Sequence, residues 1–202
     1  MTILFFILLA YLLGSISFAV VSSWLFKLPD PRTYGSRNPG ATNVLRSGKK
    51  AAAVLTLLGD AGKGWLAVFL VQYFVSAWGM ADEVIAVVAL AVFLGHVFPV
   101  FLRFQGGKGV ATAVGVLLGL NPWVGFLAMA TWVLVVTLWR ISSLSALVAA
   151  ALAPVYAFIF LGYGINTLAV LIMSLILIWR HKSNIVNLIS GKEGRIGEKR
   201  AS

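Results

Sequence analysis

From Ile141 to Trp179 the chain runs for 39 residues without a charged side chain. A helix crosses a hydrocarbon core of about 30 Å in about 20 residues, so this run holds two crossings. Gly162-Tyr163-Gly164-Ile165-Asn166 supplies the turn between them. The rest of the sequence agrees. Its 202 residues are 60% hydrophobic and only 11% charged, with a mean hydropathy of +0.97. A soluble domain of this size has no interior large enough to hide so much apolar surface. The expectation is an all-α integral membrane protein, with residues 1–202 forming a single transmembrane domain.

The remaining spans follow by the same reasoning. Thr2 to Phe26 is 25 residues without a charge, about 37 Å as a helix. A cleaved signal peptide would start basic and be shorter, so this segment reads as one retained span. Ser15, Ser17, Ser22 and Ser23 on it are expected to face protein rather than lipid. A second helix is predicted from about Ala51 to Trp78. Asp60 and Lys63 lie on one face of it and are expected to form a structural ion pair; the functional alternative is that Asp60 orients a residue of the loop above. Asp82-Glu83 mark an outer turn, and Val84 to Leu102 forms the third span with His96 inside it. Gly109 to Trp139 is 31 uncharged residues, about 46 Å as a helix: too long for one crossing and short for two. Asn121-Pro122 breaks it, predicting a short, partly inserted helix over 110–120 and a full return from Pro122 to Trp139. The total is a seven-helix bundle with its N-terminus outside and its C-terminus cytoplasmic. In that arrangement all 16 Lys and Arg residues fall on the cytoplasmic side or at its interface. Trp24, Trp78, Trp139 and Trp179 sit near segment ends as interface anchors.

Function has to come from the polar turns. The first, Asp30 to Arg46, is rich in glycine, proline, Asn and Ser and carries Arg32, Arg37 and Arg46. Small residues let backbone N–H groups approach a ligand closely, and the arginines supply charge-assisted donors. Asp30 and Arg32 are expected to pair and fix the loop. The second turn, Arg103 to Thr112, contains Gly106-Gly107-Lys108-Gly109 and opens a helix, whose free N–H groups and partial positive charge favour an anion. Its spacing is not that of the nucleotide P-loop. Ser142-Ser143-Leu144-Ser145 and His181 to Asn184 complete the set. All four fall on one membrane face and form a cationic, donor-rich floor suited to an anionic head with a greasy tail. An ordinary basic cytoplasmic loop is the bland alternative for the first turn. A transporter of small phosphate-bearing anions is the competing class. Against it, no inverted repeat is visible, and the polar groups gather on one face instead of marking a path across. A net charge of +10 is accounted for by topology and by anionic substrates or headgroups; nothing beyond it suggests nucleic acid. There is no cysteine, and two His with few carboxylates make poor material for a metal site.

Taken together, these strings resemble the signatures of the bacterial acyl-phosphate:glycerol-3-phosphate acyltransferases, the PlsY family. Asp30-Pro31-Arg32, Gly35-Ser36 and Asn38-Pro39-Gly40-Ala41-Thr42-Asn43-Val44-Leu45-Arg46 are similar to its first signature. Gly95-His96, Phe98-Pro99, Phe101 and Gly106 to Thr112 are similar to its second. Ser142-Ser143-Leu144 with His181 and Asn184-Ile185 are similar to its third, and Asp60, Lys63-Gly64 also fall in place. The departure is Arg37, where that family usually has glycine. The resemblance implies transfer of a fatty acyl group from acyl phosphate to the sn-1 hydroxyl of glycerol 3-phosphate. Lysophosphatidic acid and phosphate would be the products, made without a cofactor at the cytoplasmic face of the bacterial inner membrane. The implied partners are these two substrates, membrane lipid and a peripheral enzyme that makes acyl phosphate.

The residues are compatible with that chemistry. Many acyltransferases use a His with an Asp five positions later; here Phe101 follows His96 and Val186 follows His181 at that spacing. An acyl phosphate is a mixed anhydride and needs less help, so positioning and charge stabilisation are sufficient. The expected catalytic residues are Ser36, Lys108, Ser143 and His181. The expected substrate-binding residues are Asn38, Thr42, Asn43, Arg46, Gly106, Gly107, Gly109 and Asn184. Lys108, Arg46 and the N–H groups of Gly106–Gly109 would hold phosphate, and Ser36, Asn38 and Ser143 would complete the hydrogen bonds. His181 and Asn184 would position the acceptor, with either His181 or a donor phosphate oxygen taking the proton. His96 is expected to pack or hydrogen-bond locally.

Overall fold

A computed structural model describes residues 2–79, 81 and 83–197; Asp82 of the expected outer turn lies outside them. Among the described residues the secondary structure is helical throughout. The helices are α1 (Thr2–Ser15), α2 (Phe18–Leu25), α3 (Ala41–Leu45), α4 (Lys50–Trp78), α5 (Glu83–Val97), α6 (Val110–Leu120), α7 (Pro122–Trp139), α8 (Ser142–Leu161), α9 (Ile165–Arg180) and α10 (Lys182–Ile189), with a 3₁₀ turn at Val100–Leu102. By length and composition four helical segments can cross a membrane: α4, Glu83–Leu102, α7 and α8. Six can do so if the bent pairs α1–α2 and α9–α10 each count as one span. The short α6 keeps the boundaries its sequence predicts. So does α7, where Asn121 Oδ1 accepts the Trp123 and Val124 N–H groups as an N-cap and Pro122 occupies the first turn.

The chain packs as two compact units that divide between Leu120 and Asn121. In the first, α1 lies against α5, and α4 against α6, α2 and α3. Lipid tails are as apolar as leucine, so helices in a bilayer associate by close packing instead of by hydrophobic drive. Glycines supply that closeness. A methyl group added to Gly14 would strike the Val92 carbonyl, and one on Gly95 the Tyr11 carbonyl; between α4 and α6, Gly64 abuts Thr112 O and Gly115 abuts Ala61 O. In the second unit α7 packs on α8 and α8 on α9, with a hydrogen bond of 2.8 Å between Thr131 Oγ1 and the Tyr156 hydroxyl.

The first span differs from its sequence expectation. Thr2 to Phe26 is not one straight helix: α1 and α2 meet at 43° across Ile16-Ser17. No proline causes this. Lys63 Nζ donates to the Ile16 carbonyl at 2.6 Å, and Phe18 N–H points to Asp60 Oδ1 at 3.4 Å. The backbone groups that the break exposes are thus taken up by a buried ion pair on α4, which makes a break tolerable at membrane depth. The third span, Glu83–Leu102, ends where the sequence predicts. It is α-helical to Val97 and closes with the 3₁₀ turn Val100–Leu102, after which Arg103 and Phe104 take left-handed φ values of 52° and 62° that turn the chain toward the glycines.

Candidate active site

In the first unit the Asp30–Arg46 loop is organised by Asn43, which is 1% exposed. Its Oδ1 accepts the Ser36 N–H at 2.9 Å and Arg46 Nη1 at 3.4 Å. Its Nδ2 donates to the carbonyls of Pro31 at 2.7 Å and Tyr34 at 3.2 Å. The amide therefore joins Ser36 to Arg46 and has little capacity left for a ligand. Ser36 and Arg46 are exposed, and Asn38 and Thr42 half-buried. Arg37 has φ 55°, the left-handed region where glycine is unstrained, so its backbone meets a glycine's requirement with an arginine. Asp30 and Arg32 pair as expected, Nη2 to Oδ2 at 2.6 Å, while the Arg32 N–H caps Asp30 Oδ1 at 2.9 Å. The hydrogen bond from Arg32 holds the Asp30 carboxyl below its usual pKa and raises that of the guanidinium in return.

The second turn leads into α6. Gly106, Gly107 and Gly109 are buried and Lys108 half-buried. Gly109 has φ 91° and sits against the Phe93 ring, so a side chain there meets both strain and a wall. Gly107 N–H donates to the His96 carbonyl at 3.1 Å. This corrects one expectation, since that N–H is already used and is not available to a phosphate. Behind the turn, in the first turn of α6, Thr112 Oγ1 is buried without a hydrogen-bond partner.

Asp60 and Lys63 form the expected ion pair at 2.8 Å, with side chains 2% and 1% exposed. The sequence did not reveal the third member: His96 Nδ1 lies 3.4 Å from Asp60 Oδ1. An acid partner does exist for this histidine, but it comes from another helix, 36 positions upstream, where no spacing rule looks for it.

In the second unit Ser143 Oγ donates to Glu193 Oε1 at 2.7 Å and Asn184 Nδ2 donates to the same oxygen at 2.6 Å. Two expected site residues are thus brought together by one that sequence reasoning missed. Ser143 has a single hydroxyl proton, so while it serves Glu193 it accepts hydrogen bonds and does not donate to a phosphate. The available signal was a lone carboxylate between Lys192 and Arg195 in a basic tail. The tail is further tied where Ile196 N–H donates to the Arg140 carbonyl at 2.7 Å and Arg140 Nη2 to the Ile196 carbonyl at 3.1 Å. His181 is 3% exposed. Its Nδ1 meets the Leu177 carbonyl at 2.8 Å; a carbonyl only accepts, so Nδ1 carries the proton and the lone pair of the neutral ring sits on Nε2.

Known proteins place this chain firmly. A family model described as glycerol-3-phosphate acyltransferase matches residues 4–191. The glycerol-3-phosphate acyltransferase of Nitrosospira multiformis is 64% identical over 202 residues, covering all of both chains. That of Nitrosomonas europaea is 67% identical over 189 residues, 94% of each chain. The crystal structure of PlsY (YgiH), an integral membrane glycerol 3-phosphate acyltransferase in its glycerol 3-phosphate form, superposes with TM-score 0.89 at 37% identity, over 98% of this chain and 96% of that one. Its lysophosphatidic acid form gives 0.88 at 36%. With a family model spanning nearly its whole length, and full-length relatives well above half identical, the chain belongs to the PlsY family of glycerol-3-phosphate acyltransferases.

Proposed function

We propose that this acyltransferase takes its acyl group from acyl phosphate and places it on the sn-1 hydroxyl of glycerol 3-phosphate. Lysophosphatidic acid and inorganic phosphate are released. The reaction runs at the cytoplasmic face of the bacterial inner membrane, with the chain's N-terminus outside and its C-terminus inside. The observation that carries the choice of donor is the state of the histidines. His96 is buried against Asp60, and His181 is buried with Nδ1 engaged by a backbone carbonyl. Neither is followed five positions later by the Asp that many acyltransferases pair with a catalytic histidine; Phe101 and Val186 stand there instead. A mixed anhydride with phosphate as leaving group suits a site built on charge and positioning.

In this reading Lys108, the start of α6 and Arg46 neutralise phosphate charge, and Ser36, Asn38 and Thr42 add hydrogen bonds. Asn43 acts on substrate only through the loop it shapes. Gly106, Gly107 and Gly109 allow close approach, with Gly107 contributing shape instead of its N–H. Asn184 and Ser143, held by Glu193, orient the acceptor. The hydroxyl oxygen attacks the acyl carbonyl, its proton passes to His181 Nε2 or to a phosphate oxygen, and the bond to phosphate breaks. Membrane lipid surrounds the fatty chain, and a peripheral enzyme that makes acyl phosphate supplies the donor.

The test is phosphate release by purified protein given palmitoyl phosphate and glycerol 3-phosphate. Stoichiometric phosphate and lysophosphatidic acid are expected. Acylation that requires a thioester donor, or counterflow in liposomes without chemistry, overturns the proposal.

A further inference from the structure

The Asp60–Lys63–His96 cluster is unusual for a membrane span. Two charges and an imidazole lie almost fully buried, where desolvation offsets most of the pair's Coulomb gain and an apolar trio would stabilise as well. Lys63 and Asp60 serve the backbone, satisfying Ile16 and Phe18 at the break between α1 and α2. His96 faces elsewhere, and what it touches on its other side is the glycine turn. Its carbonyl accepts the Gly107 N–H. A methyl group on Gly107 would strike its Nε2, and one on Gly106 would strike its carbonyl. The ring therefore stands with Nδ1 toward Asp60 and Nε2 against the backbone of the turn.

We propose that His96, set by Asp60, is a positioning residue for the Gly106–Gly109 turn and so fixes where the bound phosphate lies. The inference rests on the reading of that turn as a phosphate cradle. The contact runs from the Asp60 carboxylate through the imidazole to Gly107 Cα, so a displaced ring moves the turn, not the fold as a whole. Misplacing a reacting group by about 1 Å can cost about 100-fold in rate, which gives a rigid wall behind a turn whose three glycines have no side chains of their own a clear physical use. The same wall explains why Gly107 tolerates no side chain although its φ does not demand glycine.

The test uses purified full-length protein and three variants: His96→Ala, Gly107→Ala and the double variant. Each is assayed for phosphate release against both substrates and for thermal unfolding. His96→Ala and Gly107→Ala should each raise the KM of one substrate about tenfold, the same substrate in both, with the other KM within twofold. In the double variant the new methyl occupies the space that the ring leaves, so the loss should stay near that of one single variant instead of multiplying toward 100-fold. A His96→Ala protein that unfolds at lower temperature with both KM values unchanged overturns the proposal, as do multiplicative losses. Should His96→Ala not fold, Gly107→Ala decides alone, and unchanged KM values refute the contact. Wild-type protein that releases no phosphate from palmitoyl phosphate refutes the proposed donor instead. The variants are then compared by glycerol 3-phosphate affinity in calorimetry, where a tenfold loss supports the positioning role and no loss refutes it.

Discussion

Two polar clusters in this protein are built in opposite ways. In the first unit Asp60, Lys63 and His96 are nearly sealed from solvent, come from two spans, and are tied to the backbone where a third span breaks. In the second unit Ser143 and Asn184 meet on Glu193, a half-buried carboxylate from a tail that is held beyond α10 by a few polar contacts. The first cluster cannot open without stranding charge in hydrocarbon. The second can exchange Glu193 for water or another anion at little cost. Rigid and adjustable parts are the expected division in an enzyme that must hold a phosphate in register and also release product, since moving elements are drawn from the less stable parts of a fold.

The comparison is sharpened first by Lys108→Ala, which should cut turnover by about 100-fold or more, as for loss of a main charge-stabilising group, with an unchanged unfolding temperature. Near-normal activity would remove Lys108 from the site. The next largest effect is on stability. Lys63→Met leaves the Asp60 carboxylate buried without its lysine and should destabilise by about 3–5 kcal/mol, read as loss of thermal stability in detergent; adding Asp60→Asn should restore part of it. Glu193→Gln keeps an acceptor but removes the charge. It should cost only about 1 kcal/mol while raising the KM for glycerol 3-phosphate several-fold. If its stability loss equals that of Lys63→Met, the proposed contrast between the clusters is wrong.

The smallest effect concerns Asp30. Its folded pKa lies below the ordinary carboxylate value, so the bridge to Arg32 stabilises fully above the unfolded pKa of 3.8 and weakens as pH falls through the lower folded value. Both side chains are a third exposed, so Asp30→Asn should cost less than about 1 kcal/mol at pH 7, and nothing further on acidification below that folded value. A larger loss measured by urea unfolding at neutral pH would show that the loop bears on the core.

Much of this was readable from sequence because membranes simplify the code. Uncharged run length gave α7 to α9 within a residue or two, the α4 boundaries were also placed to within a residue, and Asn121-Pro122 gave the boundary between α6 and α7. Asp60 and Lys63 were visible as a pair because helical spacing put them on one face. What was hidden depended on partners distant in sequence. Nothing in Gly14-Ser15-Ile16-Ser17 announces a break, since the groups that stabilise it lie on α4. His96 hid its acid for the same reason. Asn43 looked like a ligand-binding side chain, because composition shows hydrogen-bonding capacity but not how the loop consumes it. Glu193 and α10 were lost in a tail whose charge was its only clear signal.

The glycine contacts of α1 with α5 and of α4 with α6 bring main chains to touching distance. A fatty tail is wider than such a seam, so neither pair can part to admit one without giving up the packing that joins it. A fatty chain that enters or leaves the protein must therefore run along some other flank, and bulky substitutions lining those seams should leave chain-length preference untouched.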